Sequence, residues 1–372
     1  MNTQTFPFPG GTLTLEPDQG PRRLYIELTN RCNFSCRMCF RNNFSRPFGM
    51  MDDQTMDALL QQIRTLPALS SALIGGIGEP LLHPRALEVI SALAARGVPV
   101  DLQTNGTLLS ENMIDTLVTL PVERIITSYE CGAVGHVQAT TLKETIARIA
   151  RRRALLGTGA RNRPRITLEW ILTRDSLERL ESEALELITL GVGEFIISNL
   201  LPMDEAMAED TLIFSDATGP ANRIALKNSG DILESFVDRT RYKATVQRPE
   251  FHLQTERACP FIDREALVIR YDGQVAPCYR LLHESREYYQ GRWRETKDHS
   301  FGSIGTTPIL ELWNSRSAMW FRHTVRTKQY PSCPDCRLRD GCEYIKDTTA
   351  DCFAYSPSCA DCLWDRRILI CP

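Results

Sequence analysis

The sequence predicts an α/β fold in which helices cover a parallel sheet and a smaller cysteine-rich region follows. Between residues 21 and 205, short apolar strands alternate with amphipathic helical patterns in about six βα units, the arrangement that builds a parallel sheet. Nine of the thirteen cysteines lie beyond residue 257. The predicted segments of the 372 residues are an N-terminal extension (1–20), an α/β core (21–205), a connecting segment (206–257) and a cysteine-rich domain (258–372).

The individual strands and helices follow from hydrophobic periodicity. Apolar residues recur at helical spacing in the first predicted helix, where one stripe holds Met56, Leu59, Leu60, Ile63 and Leu66. Strands are predicted at 24–28, 70–74, 98–103, 124–129, 166–172 and 194–198, and helices at 53–66, 84–96, 110–118, 141–156 and 176–190. The periodicity fades after residue 202, and the connecting segment has at least one predicted helix, at 230–237. A linker and a segment that covers the substrate are equally compatible with this pattern.

Composition and charge give little support to several classes of partner. The chain has 43 Lys and Arg against 46 Asp and Glu, and a net charge of -3 creates no field that would attract nucleic acid. The locally basic stretch 148–165 is interpreted as a solvated helix face and loop. No apolar stretch has the length of a membrane span, and the first residues lack the pattern of a signal peptide. We therefore expect a cytoplasmic protein with no nucleic-acid or membrane partner, whose cysteines bind metal in a reducing compartment.

Three cysteines within eight residues, Cys32, Cys36 and Cys39, are the most informative feature of the chain. Their Cys-x3-Cys-x2-Cys spacing follows the first predicted strand and supplies three thiolates from one loop. Structural zinc sites usually close with four protein ligands, whereas three thiolates suit an iron-sulfur cluster with one iron open to a small molecule. We therefore predict a metal centre with an open coordination position.

Further motifs follow the next three strands. The turn Gly75-Gly-Ile-Gly-Glu-Pro80 follows the second strand, Thr104-Asn-Gly106 ends the third, and Ser128 lies near the end of the fourth. Glycines allow the backbone to approach a ligand closely. Together with the cysteine spacing, these motifs resemble those of the radical S-adenosylmethionine (SAM) enzymes. The resemblance implies a partial (βα)6 TIM-like barrel, in which ligands gather at the carboxyl ends of the strands.

The resemblance also implies the cofactors and their ligands. Cys32, Cys36 and Cys39 would hold a catalytic [4Fe-4S] cluster that reductively cleaves SAM to methionine and a 5′-deoxyadenosyl radical, which abstracts hydrogen from the substrate. The residues implied to bind SAM or to lie beside it are Met38, Phe40, Gly75, Gly76, Gly78, Glu79, Thr104, Asn105 and Ser128. Met38 replaces the aromatic residue that the family usually has before the third cysteine. A thioether covers a purine face nearly as well, and the alternative for Met38 and Phe40 is core packing.

Three isolated residues carry a weaker signal. Glu169 and Asp175 lie near the end of the fifth strand, where a carboxylate could assist proton transfer but more often has a structural role. Cys131 stands alone after the fourth strand and is interpreted as a core thiol. We leave all three outside the predicted site.

The C-terminal cysteines resemble the SPASM extension of radical SAM enzymes, which carries one or two auxiliary [4Fe-4S] clusters. The family's next cysteine normally follows Cys342 after three residues, whereas Cys352 follows after nine. Chain order assigns to one cluster Cys259, Cys278 and Cys352, and to the other Cys333, Cys336, Cys342 and one of Cys359, Cys362 or Cys371. The alternative is a zinc ribbon built from Cys-x2-Cys pairs.

Short stretches indicate a narrower subfamily. The run Phe40-Arg-Asn-Asn43, the strand end 197–202 and the tail Ser356-Pro-Ser-Cys-Ala-Asp-Cys-Leu-Trp364, which continues to Cys371, resemble the maturases associated with tungsten-containing aldehyde oxidoreductases. The resemblance implies a maturation target, either the tungstopterin cofactor or the oxidoreductase itself, and an electron donor such as ferredoxin or flavodoxin. Two alternatives stay open: a maturase that modifies peptides or sulfatases, and an iron-sulfur electron-transfer or zinc scaffold protein without turnover.

Overall fold

Strands and helices alternate along the chain, as the hydrophobic periodicity predicts. The computed structural model describes residues 3–8, 10–129, 139–155, 164–210, 220–253, 256–289 and 291–372. Its strands are β1 (Gln4–Phe8), β2 (Gly11–Leu15), β3 (Arg23–Ile26), β4 (Ser71–Ile74), β5 (Val100–Gln103), β6 (Val122–Tyr129), β7 (Arg165–Leu172), β8 (Val192–Asn199), β9 (Thr245–Gln247), β10 (Ala266–Ile269), β11 (Val275–Ala276), β12 (Ser285–Tyr289) and β13 (Arg292–Thr296). Its helices are α1 (Asp53–Ile63), α2 (Ala86–Ala94), α3 (Glu111–Thr119), α4 (Ala139–Leu155), α5 (Arg174–Leu190), α6 (Glu205–Asp210), α7 (Pro220–Thr240), α8 (Pro260–Asp263), α9 (Ile309–Trp313) and α10 (Arg316–Arg326).

One large sheet contains strands from both predicted domains. Within the described residues, β3 to β9 pair in chain order and in parallel, and β10 pairs in parallel with β3 at the other end. The antiparallel strand β11 forms the edge beyond β10. The sheet therefore has two edges, β9 and β11, and is a partial barrel. The short strand β10, Ala-Leu-Val-Ile, is fully apolar and buried, which suits a strand inside such a sheet.

The first helix shows how local sequence defines an element. Asp52 caps α1 by accepting a hydrogen bond from Thr55 N at 2.7 Å. The predicted apolar stripe is confirmed, since each of its residues is at most 5 % exposed and packs in the main core: Met56, Leu59, Leu60, Ile63 and Leu66.

The connecting segment is more helical than its sequence indicates. Helix α7 spans Pro220–Thr240, whereas periodicity predicts only 230–237. Leu233 and Phe236 are the apolar residues that α7 buries among its described side chains, so its hydrophobic pattern is short. Cys131 lies outside the described residues. Among the described helices, none combines the length and the apolar character needed to cross a membrane.

Buried charges join five strands at the end of the barrel where the strands begin. Asp101 on β5 accepts hydrogen bonds from Arg23 at 2.8 Å and from Arg124 at 2.8 and 2.9 Å. Arg124 also reaches Glu194 on β8 at 3.4 Å, and Thr167 on β7 donates to Glu194 at 2.9 Å. Because these side chains are almost fully buried, each charge depends on its partner.

Asp101→Asn is expected to lower the free energy of unfolding by about 3 kcal/mol at neutral pH, because two buried guanidinium groups lose their counter-charge. Burial acts to raise the pKa of Asp101, but hydrogen bonds and charge from Arg124, with Arg23, hold it below its usual value. A lowered pKa stabilises the fold above the ordinary Asp value of about 4, and the stabilisation is lost as the pH falls through the folded pKa. Urea unfolding from pH 7 down to 3 should therefore show less acid sensitivity in the variant.

The control is Asp57→Asn, since Asp57 pairs with Arg85 at 2.7 Å but is 69 % exposed. We expect this variant to change the free energy of unfolding by less than about 1 kcal/mol. Equal destabilisation by the two variants would contradict the role given to the buried layer.

Candidate functional site

A cavity of about 270 Å³ opens at the carboxyl ends of the parallel strands. The loop after β3, the turns after β4 and β5, the ends of β6 to β8 and the C-terminal segment all contribute to its wall. Among the side chains that line it are Cys32, Cys36, Cys39, Glu79, Asn105, Ser128, Glu169, Arg280, His283 and Cys371. The predicted motifs therefore converge on one space.

A buried arginine holds the loop that carries the three N-terminal cysteines. Arg41 is 8 % exposed and donates to Asn30 O at 3.3 Å and to Phe34 O at 2.5 Å. The Asn105 amide lies 3.7 Å from the Cys32 sulfur. Burial raises the pKa of the Cys32 thiol, so binding of a metal centre there must release a proton.

Gly78 brings the glycine-rich turn into backbone contact with the cysteine loop. A Cβ atom at Gly78 would lie 2.3 Å from Thr29 O and 2.4 Å from Arg31 O, which leaves no room for any side chain. The Glu79 N–H donates to Arg31 O at 2.8 Å and secures this approach. The turn therefore requires glycine at this position.

Glu79 links the turn after β4 to the turn after β5. Its carboxylate is 1 % exposed, accepts hydrogen bonds from Thr104 Oγ1 at 2.9 Å and Leu81 N at 3.0 Å, and accepts another from Asn105 N at 2.7 Å. Burial raises the pKa of Glu79, although the three hydrogen bonds oppose the shift. Glu79, Thr104 and Asn105, which the sequence identifies separately, thus form one hydrogen-bonded unit.

The cavity wall includes all but one of the residues that the resemblance associates with SAM. The exception is Gly75, where a Cβ atom would lie 2.6 Å from Gln103 Cβ. Gly76 lines the cavity with φ at +126°, a conformation that favours glycine. Met38 and Phe40 line the cavity and also pack against a core cluster, so both interpretations of these two residues describe their position.

Glu169 and Asp175 occupy different environments. Glu169 lines the cavity and accepts a hydrogen bond from Gln103 Nε2 at 2.8 Å. Asp175 lies in the first turn of α5, pairs with Arg179 and is 75 % exposed. Of these two carboxylates, Glu169 is the one placed to contact a substrate.

Four C-terminal cysteines line a narrow pocket of about 20 Å³ and are named the inner cysteine group: Cys259, Cys278, Cys359 and Cys362. Burial, followed by the charges of Cys362 and Cys278, raises the pKa of Cys259 well above its ordinary value. Burial and the charge of Cys362 raise the pKa of Cys278 to about 12. This grouping differs from the one expected from chain order, which gave Cys352 to Cys259 and Cys278. The tail returns to the start of the domain, where Ala258 N donates to Asp365 O at 2.7 Å.

The outer cysteine group consists of Cys333, Cys336, Cys342 and Cys352. The charges of the other three thiols act on the pKa of Cys333. Burial, followed by the charges of Asp361 and of the other three cysteines, raises the pKa of Cys333 to about 12. Cys336 and Cys352 are exposed, so this group reaches the protein surface. No disulfide joins the twelve cysteines in the described residues. Within the same residues, no three or more Cys, His, Asp or Glu side chains are arranged to hold a single metal ion.

Cys371 belongs to neither group, although the sequence offers it as a cluster ligand. It lines the main cavity, and Trp364 Nε1 donates to its sulfur at 2.9 Å. Burial, followed by the charge of Glu169, raises the pKa of the Cys371 thiol to about 12. The structure therefore places the Cys371 thiol in the cavity wall.

Several cavity residues carry no signal in the sequence. Arg280, His283 and Glu287 come from the C-terminal region, and His283 Nε2 lies 2.9 Å from the buried Glu27 carboxylate. They reach the cavity because β10 pairs with β3 and directs the following loop over the barrel. No motif spacing reports such a contact, since it depends on which strands become neighbours.

Comparisons with known proteins agree with this arrangement. The Radical SAM superfamily matches residues 26–153, and an iron-sulfur cluster-binding domain named SPASM matches residues 259–337. The tungsten-containing aldehyde ferredoxin oxidoreductase cofactor-modifying protein of Pyrococcus furiosus is 36 % identical over 356 residues, which cover 94 % of this chain and 96 % of that protein. The PqqA peptide cyclase of Gluconobacter oxydans is 25 % identical over 305 residues, which cover 79 % of this chain and 76 % of that protein.

A solved structure, that of Streptococcus suis SuiB bound to the precursor peptide SuiA, has a similar fold. The TM-score is 0.57 at 14 % identity, and the match covers 93 % of this chain and 76 % of that chain. At this identity the likeness concerns the fold alone. Radical SAM and SPASM domains use a SAM-binding [4Fe-4S] cluster and auxiliary iron-sulfur clusters. The chain is thus a radical SAM enzyme with a SPASM domain, a member of the family of the Pyrococcus furiosus protein.

Proposed function

We propose that Cys32, Cys36 and Cys39 hold the cluster with which this enzyme cleaves SAM, and that the enzyme matures a tungsten-containing oxidoreductase or its tungstopterin cofactor. The observation that carries the first part is the convergence of the three cysteines and the Glu79 unit on one cavity. The second part is supported by 36 % identity, over nearly the full length of both chains, to a protein described as modifying a tungsten oxidoreductase cofactor.

The residues around the cavity fit the proposed cofactors. Three thiolates from one loop leave one iron of a [4Fe-4S] cluster without a protein ligand, and that cluster supplies the electron that splits SAM. The Asn105 amide is placed to donate toward the Cys32 sulfur. Glu79 keeps the turns after β4 and β5 at a fixed separation, while the side chains of Met38 and Phe40 present apolar surface to the cavity and exclude water.

The inner and outer cysteine groups are proposed to hold one auxiliary [4Fe-4S] cluster each. Four thiols per group satisfy all four irons of a cluster, so these clusters would transfer electrons rather than bind substrate. We propose ferredoxin or flavodoxin as the one-electron donor. The absence of disulfides among the twelve cysteines of the described residues suits the reducing cytoplasm, where we propose that the enzyme works.

Peptide modification is the second candidate function. It is favoured by the 25 % identity to a PqqA peptide cyclase. The C-terminal region also contributes much of the cavity wall, including Arg280 and Trp364, and this surface could contact a large substrate. Both candidates share the cleavage of SAM and differ in what receives the radical.

Replacing Cys32, Cys36 and Cys39 together with alanine is expected to abolish 5′-deoxyadenosine formation, because the cluster that reduces SAM loses its protein ligands. Chromatography of reactions with dithionite-reduced, anaerobic protein and SAM measures the product. The surface variant Asp57→Asn is the control and should form 5′-deoxyadenosine at the wild-type rate. Undiminished product from the triple variant would refute the proposed cluster site.

Deleting this protein from cells that make a tungsten oxidoreductase is expected to change the mass of that enzyme or of its extracted pterin cofactor. Intact-protein and cofactor mass spectrometry compares the two preparations, and expression of the wild-type chain, but not of the triple variant, should restore the mass. Identical masses with and without the chain would remove the tungsten proposal. A mass change confined to a short peptide would favour the second candidate.

Iron analysis tests the proposed ligand groups. The anaerobic wild-type enzyme should carry about twelve irons per chain, and Cys359→Ala or Cys352→Ala should each lower that number by up to about four. Cys371→Ala is the matched control and should retain all of the iron, since Cys371 lies in neither group. Loss of iron from this control would contradict the grouping, and stoichiometric zinc with about four irons would exclude auxiliary clusters.

A further inference from the structure

A buried ion network adjoins both the catalytic cavity and the pocket of the inner cysteine group, because its member Arg280 lines both. Its four side chains are between 2 and 11 % exposed: Arg280, Glu287, Arg294 and Asp361. Removing charges from water costs several kcal/mol per ion, and pairing seldom recovers more than that cost. The network is therefore weak evidence for stability, and the contacts of its individual atoms indicate its role.

The two carboxylates hold the Arg280 side chain by one of its nitrogens. Nη2 lies 3.4 Å from Glu287 Oε1 and 3.2 Å from Asp361 Oδ1. Arg294 binds the same two carboxylates at 3.1 and 2.7 Å, and so it shares the charge that holds Arg280. The guanidinium of Arg280 is thereby fixed in position by groups on two different segments of the chain.

The other terminal nitrogen of Arg280 has no acceptor among the described residues. Nη1 is buried and makes no hydrogen bond with any described residue. A buried N–H without an acceptor is costly, and a charged one more so. This atom therefore indicates that an acceptor belonging to a bound group lies beside it.

The position of Arg280 identifies that group. Arg280 lines the pocket of the inner cysteine group and also the catalytic cavity. It follows Cys278 by two residues, and its partner Asp361 lies between Cys359 and Cys362 in the chain. Four thiolates around a cluster concentrate negative charge, and reduction adds more, so a fixed cation beside them favours the reduced state.

We propose that Arg280 donates a hydrogen bond from Nη1 to a sulfur of the cluster held by the inner cysteine group and thereby raises its reduction potential. Glu287 and Asp361 act as positioning residues that aim the guanidinium. Because Arg280 also lines the cavity, the cluster of the inner cysteine group would accept an electron from a donor in the cavity more readily than the cluster of the outer group, which reaches the protein surface. The inference rests on the proposed function in one respect, that the inner group holds a cluster.

Redox titration of the anaerobic holoenzyme, followed by electron paramagnetic resonance, tests this role. The inner-cluster signal is identified as the one lost in Cys359→Ala. Arg280→Gln is expected to lower the equilibrium constant for reducing that cluster about tenfold, equal to about 59 mV for one electron. Arg294→Gln is the matched control, because it removes an equal charge from the same two carboxylates, and it should shift the potential clearly less.

Electron-nuclear double resonance provides a second readout that a purely structural role would not change. Enzyme labelled with ¹⁵N-arginine should show nitrogen coupling to the inner cluster, and the coupling should disappear in Arg280→Gln but persist in Arg294→Gln. Equal shifts in both variants, an unchanged potential in Arg280→Gln, or no ¹⁵N coupling in the wild-type enzyme would each overturn the inference. If Arg280→Gln does not retain the cluster, the presence or absence of ¹⁵N coupling in the wild-type enzyme decides whether an arginine donates to the inner cluster.

Failure of the proposed auxiliary cluster site and failure of the proposed role of Arg280 give different results. If Cys359→Ala leaves the iron content and all signals unchanged, the inner group holds no cluster, and the proposed auxiliary site fails. If the cluster is present and its potential is insensitive to Arg280, only the role of the arginine fails. Cleavage of SAM by Arg280→Gln reports separately on the N-terminal cluster.

Discussion

Backbone contact between the glycine-rich turn and the cysteine loop is the constraint on which the site depends. A Cβ at Gly78 would collide with two carbonyl oxygens of the loop, so the two segments approach as closely as backbones can. The adjacent Glu79 then uses both carboxylate oxygens to hold the turn after β5. Three motifs far apart in the chain become one rigid surface, because glycine permits the contact and a buried carboxylate completes it.

Buried charge occurs at both ends of this molecule and serves two purposes. At the end where the strands begin, Asp101 on β5 pairs with Arg124 on the adjacent β6 and with Arg23 on β3, two strands away, and the layer ties the sheet together. At the end where the strands finish, Nη1 of Arg280 has no hydrogen-bond acceptor among the described residues. The first layer satisfies its central carboxylate within the protein, whereas in the second network we propose that Arg280 Nη1 donates to a bound cluster.

The fold also distributes the cysteines in a way that their order does not reveal. The tail passes back beside the start of the C-terminal domain, so Cys359 and Cys362 join Cys278 and Cys259, which lie about 80 and 100 residues earlier, while Cys352 stays with its nearer neighbours. Cys371, only nine residues beyond Cys362, turns instead into the cavity beside Glu169. The inner group of four thiols thus results from chain reversal, and the thiol of Cys371 faces the region where radical chemistry is proposed.

The sequence by itself determined the alternation of strands and helices, the buried face of α1, the superfamily and the residues of the N-terminal motifs, because these depend on periodicity and on short fixed spacings. The hydrophobic periodicity predicts only part of the length of α7, because the apolar pattern of this helix is short. Only the tertiary structure decided that β10 joins the sheet beside β3, that Arg280 and His283 reach the cavity, and which cysteines group together. The physical reason is that these contacts depend on long-range strand pairing and chain reversal, for which local spacing carries no signal.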